Sequence, residues 1–382
     1  MNLPVQKPHS DLMKKTVAIG FLGNLNFDTR TYNLFHSLKK KGHKVTFTGF
    51  DWLTPDFRSI KTDEVSVKKI TKGRYSVFYY MKYSASMLVS LLFTKADFYF
   101  ASDFYTLPFC TITAKLKRKK VFYDSREIYT ELPALTGRPK LKKLFKFIEG
   151  MFINRTDAIF TTGEMDSIYI EKLFNTKKTY VLRNLPLVRK DFKPVNYIKK
   201  YKLKPGSKII LYQGIVVTGR GIDTYLQAVK SDESLVLVIL GGGEHLEHYR
   251  TETGKLGITE RVIFAGKISQ NELPDYTSGA FAGLSIIDNT SINNYYALPN
   301  KLFEYIMAGL PVIVSDLPQM KKIVELYGTG AVVQSGNADE LLRVIDEWKN
   351  PEVYVKLKEN CESASQELNW ETEFEKNYKL FE

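Results

Sequence analysis

Short continuous apolar runs at 16–22, 44–48, 97–101, 120–123 and 158–161 read as buried strands. Between them apolar residues recur at helical spacing, as in 31–41, 77–92 and 141–154. Strands that alternate with helices of crossover length pair in parallel, because a parallel neighbour can be reached only by such a connection. The pattern then starts again. Strand-like runs at 208–213, 235–240, 261–264, 281–286 and 311–315 alternate with helical patterns at 221–230, 244–256, 271–278, 301–308 and 318–326. Between the two blocks the stretch RKDFKPVNYIKKYKLKPGSK (189–208) is basic, carries two prolines and has no clear period, which marks a linker. Beyond Val332, GNADELLRVIDEWKN and PEVYVKLKENCESASQELNW read as amphipathic helices, and NWETEFEKNYKLF as one more after a break. The pattern predicts an α/β protein of two doubly wound Rossmann-like domains, at 1–190 and 208–367, with a linker at 191–207 and a closing segment at 368–382. No solenoid repeat or low-complexity tract interrupts it.

At 382 residues the chain is long for a single core, in keeping with two domains. Two cysteines, Cys110 and Cys361, stand far apart, and the histidines (His9, His36, His43, His245, His248) form no ligand spacing. A disulfide scaffold or structural metal is therefore not expected. Charge changes the picture more. Residues 1–190 hold 34 Lys and Arg against 16 Asp and Glu, whereas the remainder holds 21 against 26. Such asymmetry points to a polyanionic partner of the first half: a membrane surface, nucleic acid or an acidic substrate. No nucleic-acid module is recognisable, so no nucleic-acid partner is expected. The clusters Lys115–Lys120 and Lys140–Lys146 are candidates for an anionic membrane surface; the alternative is a solubilising face. The first apolar run, VAIGFLG, is too short for a signal-peptide core, and Val77–Phe93 is broken by Lys82 and too mixed to span a bilayer. The expectation is a cytoplasmic protein that can sit peripherally on the inner face of the membrane.

Ligands of open α/β sheets lie outside the carboxyl ends of the strands. In the second block those loops are glycine-rich: GIVVTGRG (214–221) includes Gly214, Arg220 and Gly221, and Gly241-Gly242-Gly243-Glu244 follows a strong apolar strand. Glycine lets backbone approach a phosphate, and arginine supplies paired donors; a tight turn uses glycine for structure alone. The segment LPNKLFEYIMAGLPVIVSD (298–316) sets a helix start beside a carboxylate, Glu304, one turn inside. Free N–H groups there suit phosphate, and the carboxylate suits a ribose diol. No GxxxxGK[ST] is present, and no GxGxxG follows the first strand, which argues against a P-loop NTPase and a nicotinamide enzyme. In the first block the loops carry Asn26, Asp28 and Arg30, then Asp103, then Asp124, Ser125, Arg126, Glu127 and Glu131. Asp28 reads equally as a helix cap. The charge density after Tyr123 favours a polar cleft over a solvated loop.

These pieces resemble family-4, or group 1, glycosyltransferases of the GT-B fold. The likeness is carried by LYQGIVVTGRGIDTYLQAV, LVILGGGEHLEHYR, RVIFAGKISQNELPDYTSGAFAGLSI and LPNKLFEYIMAGLPVIVSD. In the first block it is carried by FDTRTYNLFHSLKKKGHKVTF, ADFYFASDFYTLP, VFYDSREIYTE and VLRNLP. The resemblance implies two Rossmann-like domains facing a cleft, a last helix crossing back to the first domain, and sugar transfer from a nucleoside-diphosphate sugar with retention at the anomeric carbon. It implies a nucleotide-sugar co-substrate and neither cofactor nor metal, with a saccharide or lipid-linked saccharide as acceptor. It assigns ribose to Glu304 and diphosphate to Arg220 and the helix start Leu298, Pro299, Asn300 and Lys301, with Gly214, Gly221, Gly242 and Gly243 against the nucleotide. Asp124, Arg126 and Glu127 fall in the catalytic region, and Asn26, Asp28, Arg30 and Asp103 on the acceptor side. Three positions depart from the family pattern: Tyr296 replaces a glutamate eight residues before Glu304, Ile215 a basic residue, and Arg126 a histidine near the transferred sugar. Arginine cannot act as a base at neutral pH. The alternatives are a catalytically silent partner subunit and a nucleotide-sugar epimerase of the same shape.

Overall fold

Val17 and Ile19 point to one side of their strand and Ala18 to the other, and all three are buried. A strand apolar on both faces must be covered on both, as in a parallel sheet flanked by helices. The computed structural model describes residues 14–51, 57–71 and 76–382 and contains two such sheets. The first comprises β1 (Thr16–Phe21), β2 (Lys44–Asp51), β3 (Ile60–Lys61), β4 (Val65–Lys69), β5 (Phe98–Ala101), β6 (Lys120–Ser125), β7 (Ala158–Thr161) and β8 (Thr179–Val181). Its spatial order is β3-β4-β2-β1-β5-β6-β7-β8, parallel except for the β3–β4 edge. The second comprises β9 (Lys208–Gln213), β10 (Leu235–Leu240), β11 (Val262–Gly266), β12 (Ala282–Ser285), β13 (Val312–Ser315) and β14 (Gly330–Val333), in the order β11-β10-β9-β12-β13-β14. All its pairings are parallel.

In both sheets the chain reverses its winding beside the first strand, between β1 and β5 and between β9 and β12. The switch points place the loops after these strands at one end of each sheet, where ligands of such folds collect. The closing segment ties the domains together. Trp370, Phe374, Tyr378 and Phe381 are buried in the core of the first sheet with Val17, Leu34 and Phe100. Trp370 Nε1 donates to Ser37 Oγ at 2.8 Å.

The sheets are wider than the apolar runs alone predict. The added strands β3, β4, β8 and β14 are short or half-buried and lie at or next to a sheet edge, where weak alternation hides them. The segment between the sheets is not wholly irregular. It holds a helical turn, Tyr197–Tyr201, and the buried Tyr197 donates its hydroxyl to Tyr276 O at 2.7 Å.

Candidate functional site

The carboxyl ends of the two sheets face each other across a cleft with two adjoining cavities. One, of about 560 Å³, lies between Asn26, Asp28 and Asn33 on one side and Gln270, Asn300 and Glu304 on the other. The second, of about 460 Å³, lies between Asp103, Arg126 and Glu127 and Arg220, Tyr296 and Asn300. Asn184 and Asn300 line both, so the two cavities adjoin.

The C-terminal wall is built by backbone packing. Gly241 has φ +139°, and a Cβ there would lie 1.9 Å from Gly214 O; one at Gly243 would lie 2.2 Å from Val216 O. The loop after β9 is thus pressed against the loop after β10, so it is neighbouring backbone that requires these two glycines. Gly214 itself has φ +136°, and a Cβ on it would meet Lys301 Nζ at 3.3 Å. Gly221 has no room either, since a Cβ would meet Ile286 Cβ at 2.6 Å. A Cβ on Gly242 would find only Lys267 Cε, at 3.9 Å.

The side chains held by this frame are barely paired. Lys301 Nζ stands 3.8 Å over the centre of the Tyr212 ring. Burial, with Arg220 nearby, pushes the Lys301 ammonium down to about 7, against a small opposing pull from Glu304. Glu304 lies one turn into the helix Asn300–Met307. Burial raises its carboxyl above the ordinary value, although Gln213 Nε2 donates to it and Lys301 attracts it. Gln213 is fixed in turn by Thr277 Oγ1, which donates to Gln213 Oε1 at 3.0 Å. Arg220 makes no ion pair among the described residues and projects into the second cavity with Leu298, Pro299 and Asn300.

The N-terminal wall is the reverse. Arg30 is buried and binds Asp124 twice, at 2.6 and 2.7 Å. Arg126 donates to Asp124 Oδ2 at 3.2 Å, to Asp28 Oδ2 at 2.7 Å and to Thr31 Oγ1, and lies over the Phe21 ring. Burial alone would raise the Asp28 carboxyl, but Arg126 and Thr31 outweigh it and hold the carboxyl below its ordinary value. Burial would likewise lower Arg126, and Asp28 and Asp124 reverse that, so it stays protonated. Asp103 accepts from Leu22 N at 2.8 Å and from Thr106 N at 2.7 Å, joining the loops after β1 and β5.

The expected roles shift accordingly. Asp124 lies 1% exposed behind both arginines and lines neither cavity, so it is a positioning residue rather than a catalytic one. Arg30 and Asp103 reach the cavity floor but are spent on internal bonds. Asn26 and Asp28 line the Glu304 cavity, not the one holding Glu127. Asp28 also caps its helix through Thr31 N, as the structural reading of that residue expects. Glu127 alone on this wall keeps an unpartnered carboxylate. Crowding in the cleft raises its pKa, with Arg220 and then Arg126 pulling the other way.

Polar residues that the motifs did not mark complete the site. Asn33 lines the Glu304 cavity with neither amide atom partnered. Across the cleft, Ile128 N donates to Asn293 Oδ1 at 2.9 Å, and Met165 N donates to Gln319 Oε1 at 3.1 Å. Gln319 Nε2 donates to Tyr296 O, so one side chain joins the first domain to the loop that leads into the Glu304 helix. Gln213 alone had a legible signal, a polar residue ending an otherwise apolar strand ahead of a glycine. Among the described residues no cluster of His, Cys, Asp and Glu has the makings of a metal site.

Comparison with known proteins agrees with this layout. Residues 195–367 match the family described as glycosyl transferases group 1. The chain is 24% identical over 368 residues to a chitobiosyldiphosphodolichol beta-mannosyltransferase of Yarrowia lipolytica, covering 86% of this chain and 78% of that one. Its fold is that of sucrose-phosphate synthase from Thermosynechococcus elongatus, with a TM-score of 0.77 and 17% identity over 96% of this chain and 98% of that one. Anabaena HepE in complex with UDP-glucose also shares it, with a TM-score of 0.71 and 12% identity over 96% and 99%.

Proposed function

The chain is a glycosyltransferase of group 1 on a GT-B frame, and from that premise we propose that it moves a sugar from a nucleoside-diphosphate sugar to a lipid-linked saccharide. The carrying observation is the pair of adjoining cavities, with Glu304 lining one and Arg220 and Glu127 the other, while Lys301 lines neither and lies behind the wall beside Gly214 and Tyr212. The nucleoside occupies the Glu304 cavity, its ribose hydroxyls donating to the carboxylate. Arg220, Lys301 and the start of the helix Asn300–Met307 hold the diphosphate and stabilise the charge that grows on it as the glycosidic bond breaks. Two side-chain cations replace a metal ion in this role, so transfer proceeds in the presence of a chelator. The sugar lies in the second cavity beneath Arg126 and Arg220.

We assign retention of anomeric configuration. Arg126 is fixed in its cationic state by two carboxylates and cannot accept a proton, so the leaving diphosphate is the acceptor for the proton of the incoming hydroxyl on the same face. Inversion is the second reading, favoured by the unpartnered Glu127 carboxylate, whose raised pKa suits a general base. A lipid-linked acceptor fits the Yarrowia relative, whose name specifies a diphosphodolichol acceptor.

The experiment is a thermal-shift screen of nucleoside diphosphates, followed by transfer from the matching nucleotide sugar and NMR of the product linkage. Retention with activity kept in Glu127→Gln supports the first reading. An inverted linkage that Glu127→Gln abolishes supports the second. Nucleotide binding with no turnover on any acceptor would leave only a silent partner subunit.

A further inference from the structure

Three neighbouring helices of the first domain carry apolar side chains on the wrong side. Ser76–Phe93, Leu107–Leu116 and Pro139–Ile153 pack side by side over one face of the first sheet. Their inner faces enter its core through Tyr83, Met87, Cys110 and Ile153. A surface helix normally turns a polar face outward. Here the outward stripes hold Met81 and Val89, then Phe93 at 86% exposed, Leu116 at 70%, Leu144, and Phe147 at 63%. Leu144 and Phe147 are one turn apart on the outer face of the third helix, flanked by Lys140, Lys143 and Lys146.

Charge identifies the occupant. The three helices hold six lysines and one carboxylate, Glu149, which is buried and accepts from the Tyr123 hydroxyl at 2.8 Å. On adjacent elements Asp157 pairs with Lys115 and Glu131 with Lys142, while Lys140, Lys143 and Lys146, around the apolar stripe of the third helix, pair with no acid among the described residues. Surface helices of the second domain differ: Ala338–Trp348 and Pro351–Ser365 mix acids and bases. Among the described residues no helix is long and apolar enough to cross a membrane. An apolar stripe rimmed by lysine alone suits a surface that is anionic at its boundary and hydrocarbon just beneath.

We propose that the outer face of these three helices docks the protein on an anionic lipid bilayer, with Leu144, Phe147, Leu116 and Phe93 in the acyl boundary and the lysines at the headgroups. The face leads into the cleft at two places. The third helix begins at a cavity of about 420 Å³ lined by Leu132, Arg138, Lys142 and Ile292, and Leu132 also lines the Glu127 cavity. Tyr80 on the first helix stacks on Tyr105, which lines that same cavity. A lipid-borne acceptor on this bilayer meets the cleft at its Glu127 end. The docking face itself does not rest on the transfer reading.

The test is sedimentation of the full chain with vesicles of phosphatidylcholine, with and without phosphatidylglycerol. Binding is expected to the anionic vesicles and to weaken with salt. Lys140→Gln, Lys143→Gln and Lys146→Gln together should weaken it on the order of 100-fold, at about one kcal/mol per lysine. Leu144→Ser with Phe147→Ser should abolish it without lowering the melting temperature, since both side chains are exposed. Both variants should keep wild-type transfer to a water-soluble acceptor, so loss of docking and failure of the transfer reading are separable. Absence of binding to anionic vesicles, or equal binding by the variants, overturns the proposal. A dimer of the wild type that Phe147→Ser dissociates also overturns it, making the face a protein interface.

Discussion

The two walls of the cleft use the charged side chains that follow their strands in opposite ways. On the N-terminal wall Asp28, Arg30, Asp124 and Arg126 satisfy one another, and pairing outweighs burial: Asp28 is held ionised and Arg126 protonated. On the C-terminal wall burial outweighs pairing. Lys301 is pushed toward its neutral amine and Glu304 toward its neutral acid. A charge that has spent its partners supports the fold. A charge held near its neutral state for want of a partner is one that a ligand can complete. Glu127 lies on the first wall but behaves like the second, which is why it and not Asp124 remains a candidate for chemistry.

The sharpest way to break this contrast is to remove the hub of the paired wall. Asp124→Ala leaves Arg30, only 2% exposed, without its carboxylate. Breaking a buried pair from one side costs about 3–5 kcal/mol. The first domain should then melt on the order of 10 °C lower, by differential scanning calorimetry. A melting temperature within about a degree of wild type, with activity lost, would move Asp124 back into the chemistry.

The complementary change lies on the other wall. Glu304→Ala should leave the apo protein as stable as wild type or more so, because the carboxylate is held against its own burial. It should weaken nucleoside diphosphate binding about 10- to 100-fold, the worth of charge-assisted hydrogen bonds to a diol. The decisive control is the 2′-deoxy nucleotide. The wild type should discriminate against it in titration calorimetry, and the variant should not. Discrimination that survives in the variant would sink the ribose assignment.

The unpaired wall was the more legible of the two. Arg220 follows a strong apolar strand, and Lys301 and Glu304 lie in the short helix that leads into another, so each sits in a local motif, and the backbone frame that holds them is written in nearby glycines. The paired wall depends on contacts between Arg30 and Asp124, 94 residues apart, and between Asp28 and Arg126, 98 apart. A single sequence marks such residues as charged and after a strand without saying which ones consume each other. The same holds for Gln319, 154 residues from the amide it accepts. For the fold, continuous buried strands such as LVLVIL were plain, while VSVKK at β4 was hidden because only Val67 is buried.

The smallest predicted effect tests whether the strained lysine is completed by ligand. Lys301 in the free protein loses its proton near pH 7. A diphosphate beside it favours the ammonium, so its pKa rises on binding and the complex takes up a proton above that pH. By linkage, affinity is full below about 7 and falls as pH rises, by on the order of tenfold per pH unit until the lysine of the complex itself titrates. The ligand should be a nucleotide sugar, because its esterified diphosphate has no ionisation of its own in this window. Calorimetry in buffers of different ionisation enthalpy should show the proton uptake at pH 8. Measurements belong above pH 6.5, since Asp166, beside Gln319, is pushed up to about 6 by burial and would titrate below that. Lys301→Arg stays charged throughout and should flatten the profile; an unchanged pH dependence in that variant would show that the proton belongs to another group.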